Sequence, residues 1–136
     1  MKFDLIDQVL ELSEDTIVAT KCVTTGEEYL QDHFPGFPVL PGVMMLETMA
    51  QAARRLVESQ PDCPQWPLII KDVRNIRYGN MIRPGQMLKV TVCLRKREDD
   101  GVYAFEGTGE VGDTVAVQGR FTLMTSNQLE SAAALP

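Results

Sequence analysis

Pro41-Gly42-Val43-Met44-Met45-Leu46-Glu47-Thr48-Met49-Ala50-Gln51-Ala52-Ala53-Arg54-Arg55-Leu56-Val57-Glu58-Ser59-Gln60 decides the fold of this chain. From Val43 to Gln60 there is no glycine or proline, and Met, Leu, Ala, Gln, Glu and Arg predominate. These residues lose little side-chain freedom in a helix, so the spacing predicts one long helix over Val43–Gln60. Its first half, Val43 to Ala50, is apolar nearly all round apart from Glu47, the pattern of a helix buried in a core. Its second half turns polar, with Arg54 and Arg55 towards the end where the helix dipole favours cations.

Working outward, Gln31 to Gly42 holds Pro35, Pro38 and Pro41 together with Gly36 and Gly42. Such a stretch excludes regular helix and demands a shaped loop. Asp15 to Thr25 is rich in Ile, Val and Thr and reads as a strand. Phe3, Leu5, Ile6, Val9 and Leu10 fall near helical spacing, which predicts a short amphipathic helix at the start. Beyond the Pro61–Pro67 loop, four strands are expected: Leu68 to Arg77, Met87 to Arg97, Val102 to Val111 and Thr114 to Thr125. Asp99-Asp100-Gly101 and Gly112-Asp113 supply the hairpin turns. Residues 127–136, ending Ala-Ala-Ala-Leu-Pro, have little to pack and are expected to fray. The result is an α+β domain over residues 1–126, an antiparallel sheet wrapped round one helix. One helix cannot fill both ends of so curved a sheet, so two such subunits are expected to pair.

With 136 residues the chain suits a single core, and its net charge of −6 argues against binding nucleic acid through phosphates. Nothing approaches the roughly 20 apolar residues that span a bilayer, and the acidic start is unlike a signal peptide. A cytoplasmic protein with no membrane partner is expected. Cys22, Cys63 and Cys93 are odd in number and far apart, with no nearby histidine, which does not match a zinc site. Each reads as a small apolar filler. The segment from Lys71 to Arg97 departs from the overall acidity. Lys71, Arg74, Arg77, Arg83, Lys89, Arg95, Lys96 and Arg97 are offset there only by Asp72. Such a run is either a set of solvated strand faces or a docking patch for an acidic partner.

Two residues carry candidate chemistry. Glu47 sits in the most apolar part of the helix, where lost solvation favours the neutral carboxyl. Gln51, four residues on, is placed to hold that carboxyl. His33 is the only histidine and stands in the Pro/Gly loop ahead of the helix. An unperturbed imidazole titrates near about 6.5, so it can accept a proton at neutral pH. Taken singly, a loop histidine or a paired glutamate supports no function.

Their joint spacing does. His33-Phe34-Pro35-Gly36, Pro38, Pro41-Gly42-Val43, Glu47 and Ala50-Gln51 resemble the motif of bacterial 3-hydroxyacyl-(acyl carrier protein) dehydratases of fatty acid synthesis. Leu5-Ile6-Asp7 and Pro84-Gly85 add weaker similarity along the chain. The resemblance implies a hotdog fold, a catalytic dimer and often a trimer of dimers. It makes His33 the base at C2 and Glu47 the group that assists departure of the C3 hydroxyl, the two meeting across the dimer interface. It also implies a substrate borne by phosphopantetheine on acyl carrier protein. No cofactor is called for, since elimination of water transfers no electrons.

The helix start supplies unpaired N–H groups and the positive dipole end, with Gly42 as the expected oxyanion donor and Val43 beside it. Phe37, Met44, Met45, Met49, Met81 and Ile82 are candidates to line an acyl tunnel, or plain core. The chain departs from the family pattern at Asp32, often glycine, at Phe37, often polar or basic, and across Tyr78–Arg83. Those differences bear on tunnel shape and carrier docking. The related dehydratase/isomerases carry Asp where Glu47 stands, and hotdog thioesterases lack the His-Phe-Pro-Gly loop. A binding module that has kept the fold and lost turnover is the alternative from another class.

Overall fold

The computed structural model describes residues 4–24, 40–98 and 100–127. Its elements are β1 (Gln8–Leu12), β2 (Thr16–Cys22), α1 (Gly42–Glu58), β3 (Leu68–Tyr78), β4 (Met87–Arg97), β5 (Val102–Val111) and β6 (Thr114–Thr125). The strands form one antiparallel sheet in the order β1-β2-β4-β5-β6-β3. One long helix packed against a six-stranded antiparallel sheet is the α+β hotdog architecture expected from the sequence.

Helix α1 begins after Pro41, whose extended backbone (φ −61°, ψ 145°) aims the chain into the first turn. It stops at Glu58, two residues short of expectation. Ser59 caps it, its hydroxyl donating to the Leu56 carbonyl at 2.6 Å, and Pro61 disfavours continuation. Met45, Thr48, Met49, Ala50, Ala52, Ala53, Leu56 and Val57 form the buried face. That face meets strands whose residues alternate between core and solvent, as the two-residue period of a strand requires. In β5, Phe105, Gly107 and Gly109 turn inward, and Ala104, Glu106 and Thr108 are more exposed. Gly107 makes room for the helix: a Cβ there would meet the Met49 sulfur at 2.7 Å. Phe105 stacks on Phe121 from β6 with ring centres 5.4 Å apart. Each fully buried apolar side chain of this size contributes about 1.5–3 kcal/mol, so this layer is where the fold's stability resides.

Three expectations need correction. The opening segment is no helix, since Gln8–Leu12 is strand β1, paired with β2. A helix of so few residues cannot repay its nucleation, whereas the edge of β2 offers ready hydrogen-bond partners. Among the described residues of the expected apolar stripe, Leu5 and Ile6 are deeply buried and Val9 and Leu10 are not. Second, α1 is not enclosed on all sides, because Val43 is 65 % exposed and Glu47 and Gln51 are only partly covered. Third, Cys22 and Cys63 are exposed and only Cys93 is partly covered, so two of the three are not core filler. Of the frayed tail expected over residues 127–136, residues 128–136 lie outside the described residues. Among the described residues, no helix is long and apolar enough to cross a membrane.

Candidate active site

Residues four and seven apart share a helix face, and on α1 that rule lines up Val43, Glu47, Gln51 and Arg54. With Met44, Arg55 and Glu58 of the same helix, and Asp4, Pro67 and Leu68 from outside it, they border a cavity of about 770 Å³. That volume lies within the range of small-molecule sites. Val43, Met44 and Glu47, assigned to the core from the sequence, therefore stand on the wall of a cavity.

Glu47 has partners. Arg54 Nη1 donates to its Oε1 at 2.7 Å, and Gln51 Nε2 reaches the same oxygen at 3.5 Å, the outer limit of a hydrogen bond. Arg54 Nε donates to the Leu68 carbonyl at 2.9 Å, so one guanidinium spans α1 and the first residue of β3. Gln51 spends its stronger contact elsewhere, its Oε1 accepting the Leu5 N–H at 2.7 Å. The side chains of Arg54 and Glu47 are 24 % and 33 % exposed. Solvent screening at that exposure leaves the ion pair on the order of 1 kcal/mol or less. Its consequence is orientation more than stability. The apolar setting expected for Glu47 is thus corrected: besides Gln51, the cation of Arg54 reaches back to it.

At the helix start, the first intrahelical bonds run from Met44 N and Met45 N to the Pro41 carbonyl, at 2.9 and 3.2 Å. Pro41 brings no side-chain acceptor to this turn. The N–H groups of Gly42 and Val43 precede those bonds, where a helix has donors to spare. The ring of Tyr78 lies against Gly42, and a Cβ at that position would meet it at 3.0–3.3 Å. Partial burial raises the Tyr78 phenol above its ordinary value, so it stays uncharged at neutral pH. Gly42 does not border the cavity, whereas Val43 does.

His33 and Phe37 lie outside the described residues, with the rest of the 25–39 stretch. The structure brings Glu47, Gln51, Val43 and Met44 together on the cavity wall. Met45, Met49 and Ile82 belong to the core, and Met81 is 59 % exposed. The basic residues from Lys71 to Arg97 are exposed, and several are matched by acids. Arg95 pairs with Glu106 at 3.1 Å, Lys96 with Glu98 at 3.4 Å and Arg97 with Asp62 at 2.7 Å. Sequence reasoning missed Arg54 as part of the site, reading it as a partner of the helix dipole. The signal was present, because Arg54 follows Glu47 by seven residues, two helical turns. Tyr78 carried no comparable mark, since its approach to Gly42 depends on how β3 crosses the helix start.

The ApeI-like family model, described as ApeI dehydratase, matches residues 9–120. The chain is 36 % identical over 126 residues to the 3-hydroxyacyl-[acyl-carrier-protein] dehydratase FabZ of Caulobacter vibrioides, covering 90 % of this chain and 78 % of that one. Against FabZ of Streptococcus pneumoniae it is 36 % identical over 123 residues, covering 90 % and 87 %. The dehydratase heterocomplex ApeI:P from Xenorhabdus doucetiae has the same fold, with a TM-score of 0.74 at 20 % identity, over 97 % of this chain and 90 % of that one. A hotdog fold, a cavity lined by Glu47 on its central helix, and these matches together place the chain in the ApeI-like dehydratase family, among relatives of the 3-hydroxyacyl-[acyl-carrier-protein] dehydratases.

Proposed function

We propose that this chain converts a 3-hydroxyacyl thioester, carried by phosphopantetheine on acyl carrier protein, to the trans-2-enoyl thioester and water, in the cytoplasm. The observation that carries the proposal is the Glu47 carboxylate on the wall of a 770 Å³ cavity in a chain of dehydratase ancestry. His33 takes the C2 proton as general base. The charge that builds on the thioester oxygen is met by the N–H groups of Gly42 and Val43 at the helix start. Glu47 hydrogen-bonds the C3 hydroxyl, directly or through a water, as the C3–O bond breaks. The proton taken from C2 and the hydroxyl lost from C3 sum to one water, and C2=C3 is formed. Gln51 supports Glu47, and Phe37 contributes to the acyl tunnel.

The catalytic unit is a homodimer, alone or as a trimer of dimers, in which His33 of one subunit faces Glu47 of the other. What supports pairing is strand β3, an edge of the sheet with hydrogen-bonding groups to spare, next to the Glu47 wall through Leu68. Exposed Lys71, Arg74 and Arg77 on the same strand suit an acidic carrier.

Enoyl thioester absorbance is the test, on adding 3-hydroxyacyl thioesters of several chain lengths on carrier protein and on CoA. Turnover by the wild type, and loss of about a hundredfold or more in a folded His33→Ala, is the expected result. Carrier binding without turnover at any chain length would instead identify a binding module. Equal activity in both proteins would remove His33 as the base.

A further inference from the structure

We infer that Arg54 is a positioning residue for the elimination, fixing which oxygen of Glu47 is offered to the departing hydroxyl. This rests on the dehydratase reading above. Both donors that reach Glu47, Arg54 Nη1 and Gln51 Nε2, converge on Oε1. Oε2 has no hydrogen-bond partner among the described residues, and Glu47 lines the cavity. One oxygen is thereby used to hold the group and the other is left to react.

Arg54 is itself fixed. Its Nε–H is bound to the Leu68 carbonyl, and Leu68 is buried and set in the sheet opposite Thr125 of β6. A planar guanidinium with several donors can satisfy a carbonyl and a carboxylate at once, which a lysine ammonium does with much less directional control. The position of the Glu47 carboxylate is therefore referred to the sheet as well as to its own helix. Held only by its own torsions, a glutamate on a half-open helix face would be spread over several rotamers. An ion pair this exposed is too weak to support the fold, yet it suffices to select one of them.

The experiment measures kcat and KM for a 3-hydroxyacyl thioester in wild type, Arg54→Met, Arg54→Lys and Glu47→Gln, with thermal unfolding of each. In Arg54→Met, kcat is expected to fall roughly 10- to 100-fold, the scale of a misplaced reacting group, while KM changes little. Arg54→Lys should regain part of the loss, and free guanidinium should raise kcat of Arg54→Met without raising that of the wild type. In a Glu47→Gln background, Arg54→Met should lower kcat no further, because its effect acts through the carboxylate. Wild-type kcat in Arg54→Met would overturn the inference. So would a loss of kcat that tracks a lower melting temperature and does not respond to guanidinium, since that is a structural role alone. If the wild type itself turns over no 3-hydroxyacyl thioester, the dehydratase reading falls and this inference with it. Loss in Glu47→Gln beside full activity in Arg54→Met would leave the dehydratase standing and remove only Arg54.

Discussion

At Glu47 the two carboxylate oxygens are not equivalent, and the difference is made by residues far apart in sequence. Arg54 lies two helical turns away, and its second anchor, Leu68, is on the next element. Gln51 shows that local spacing gives only part of a residue's role. Four residues from Glu47, it was expected to hold the carboxyl, and its nitrogen does reach Glu47, at 3.5 Å, while its amide oxygen accepts the Leu5 N–H at 2.7 Å. Gln51→Ala should therefore cost stability first, about 1–2 kcal/mol for the Leu5 N–H left unpaired, as measured by urea denaturation. A change below experimental error would mean that water replaces the amide without loss. Gly42→Ala belongs to the same scale. The added methyl would meet the Tyr78 ring, and because that ring is half exposed it can tilt, limiting the cost to about 1 kcal/mol. Tyr78→Ala should abolish that cost in the double variant, whereas simple additivity would show that the two do not touch.

Among the elements, α1 and the last three strands were legible from composition alone. Helix α1 is long and free of glycine and proline from Val43 onward, so no rival pattern competes with it. Strands β4, β5 and β6 run to the expected residues because glycine punctuates them. Gly101 and Gly112 take φ of 84° and 59°, a region other residues seldom enter. Strand β1 was not legible, since its apolar residues fit both periods and the deciding factor, the free edge of β2, is a tertiary one. Nor was the exposure of one side of α1, because an apolar residue facing a cavity looks in sequence like one facing a core. Strand β3 carries a device that no pattern announces. Asn75 adopts φ 54° where the β3–β6 register shifts, and Ile76 then presses on Gly119, where a Cβ would lie 2.9 Å from the Ile76 backbone. Gly119→Ala should cost about 1–3 kcal/mol in chemical denaturation, since backbone cannot yield as a side-chain tip can. A neutral result would mean that the edge strand shifts freely at this bulge.

For the molecule as a whole, the open edge of β3 lies beside the cavity that holds Glu47, so assembly and chemistry are coupled in the proposed dimer. If His33 and Glu47 of each site come from different subunits, inactive His33→Ala and Glu47→Gln proteins should complement each other once their chains reassort. Half the dimers are then mixed and one of the two sites in each is intact, giving about a quarter of wild-type activity by two-fold symmetry. No recovery in demonstrably mixed dimers would place both residues within one subunit. The basic stretch reads differently at this scale than in sequence. Arg95, Lys96 and Arg97 are matched by Glu106, Glu98 and Asp62, all three of which lie outside the Lys71–Arg97 stretch. On β3, Arg74 stands 3.9 Å from Asp72, whereas Lys71 and Arg77, like Lys89 on β4, have no ion pair among the described residues.

Glu47 is proposed to act in the elimination of water from a 3-hydroxyacyl thioester. The measurement that bears on it most directly is formation of the enoyl thioester by wild type and by Glu47→Gln, a change that keeps the shape of the side chain and removes its charge. Steady turnover by the wild type, with a fall of about a hundredfold or more in a variant that melts normally, is the expected result. Turnover by Glu47→Gln within a few-fold of the wild type would contradict the role assigned to this carboxylate.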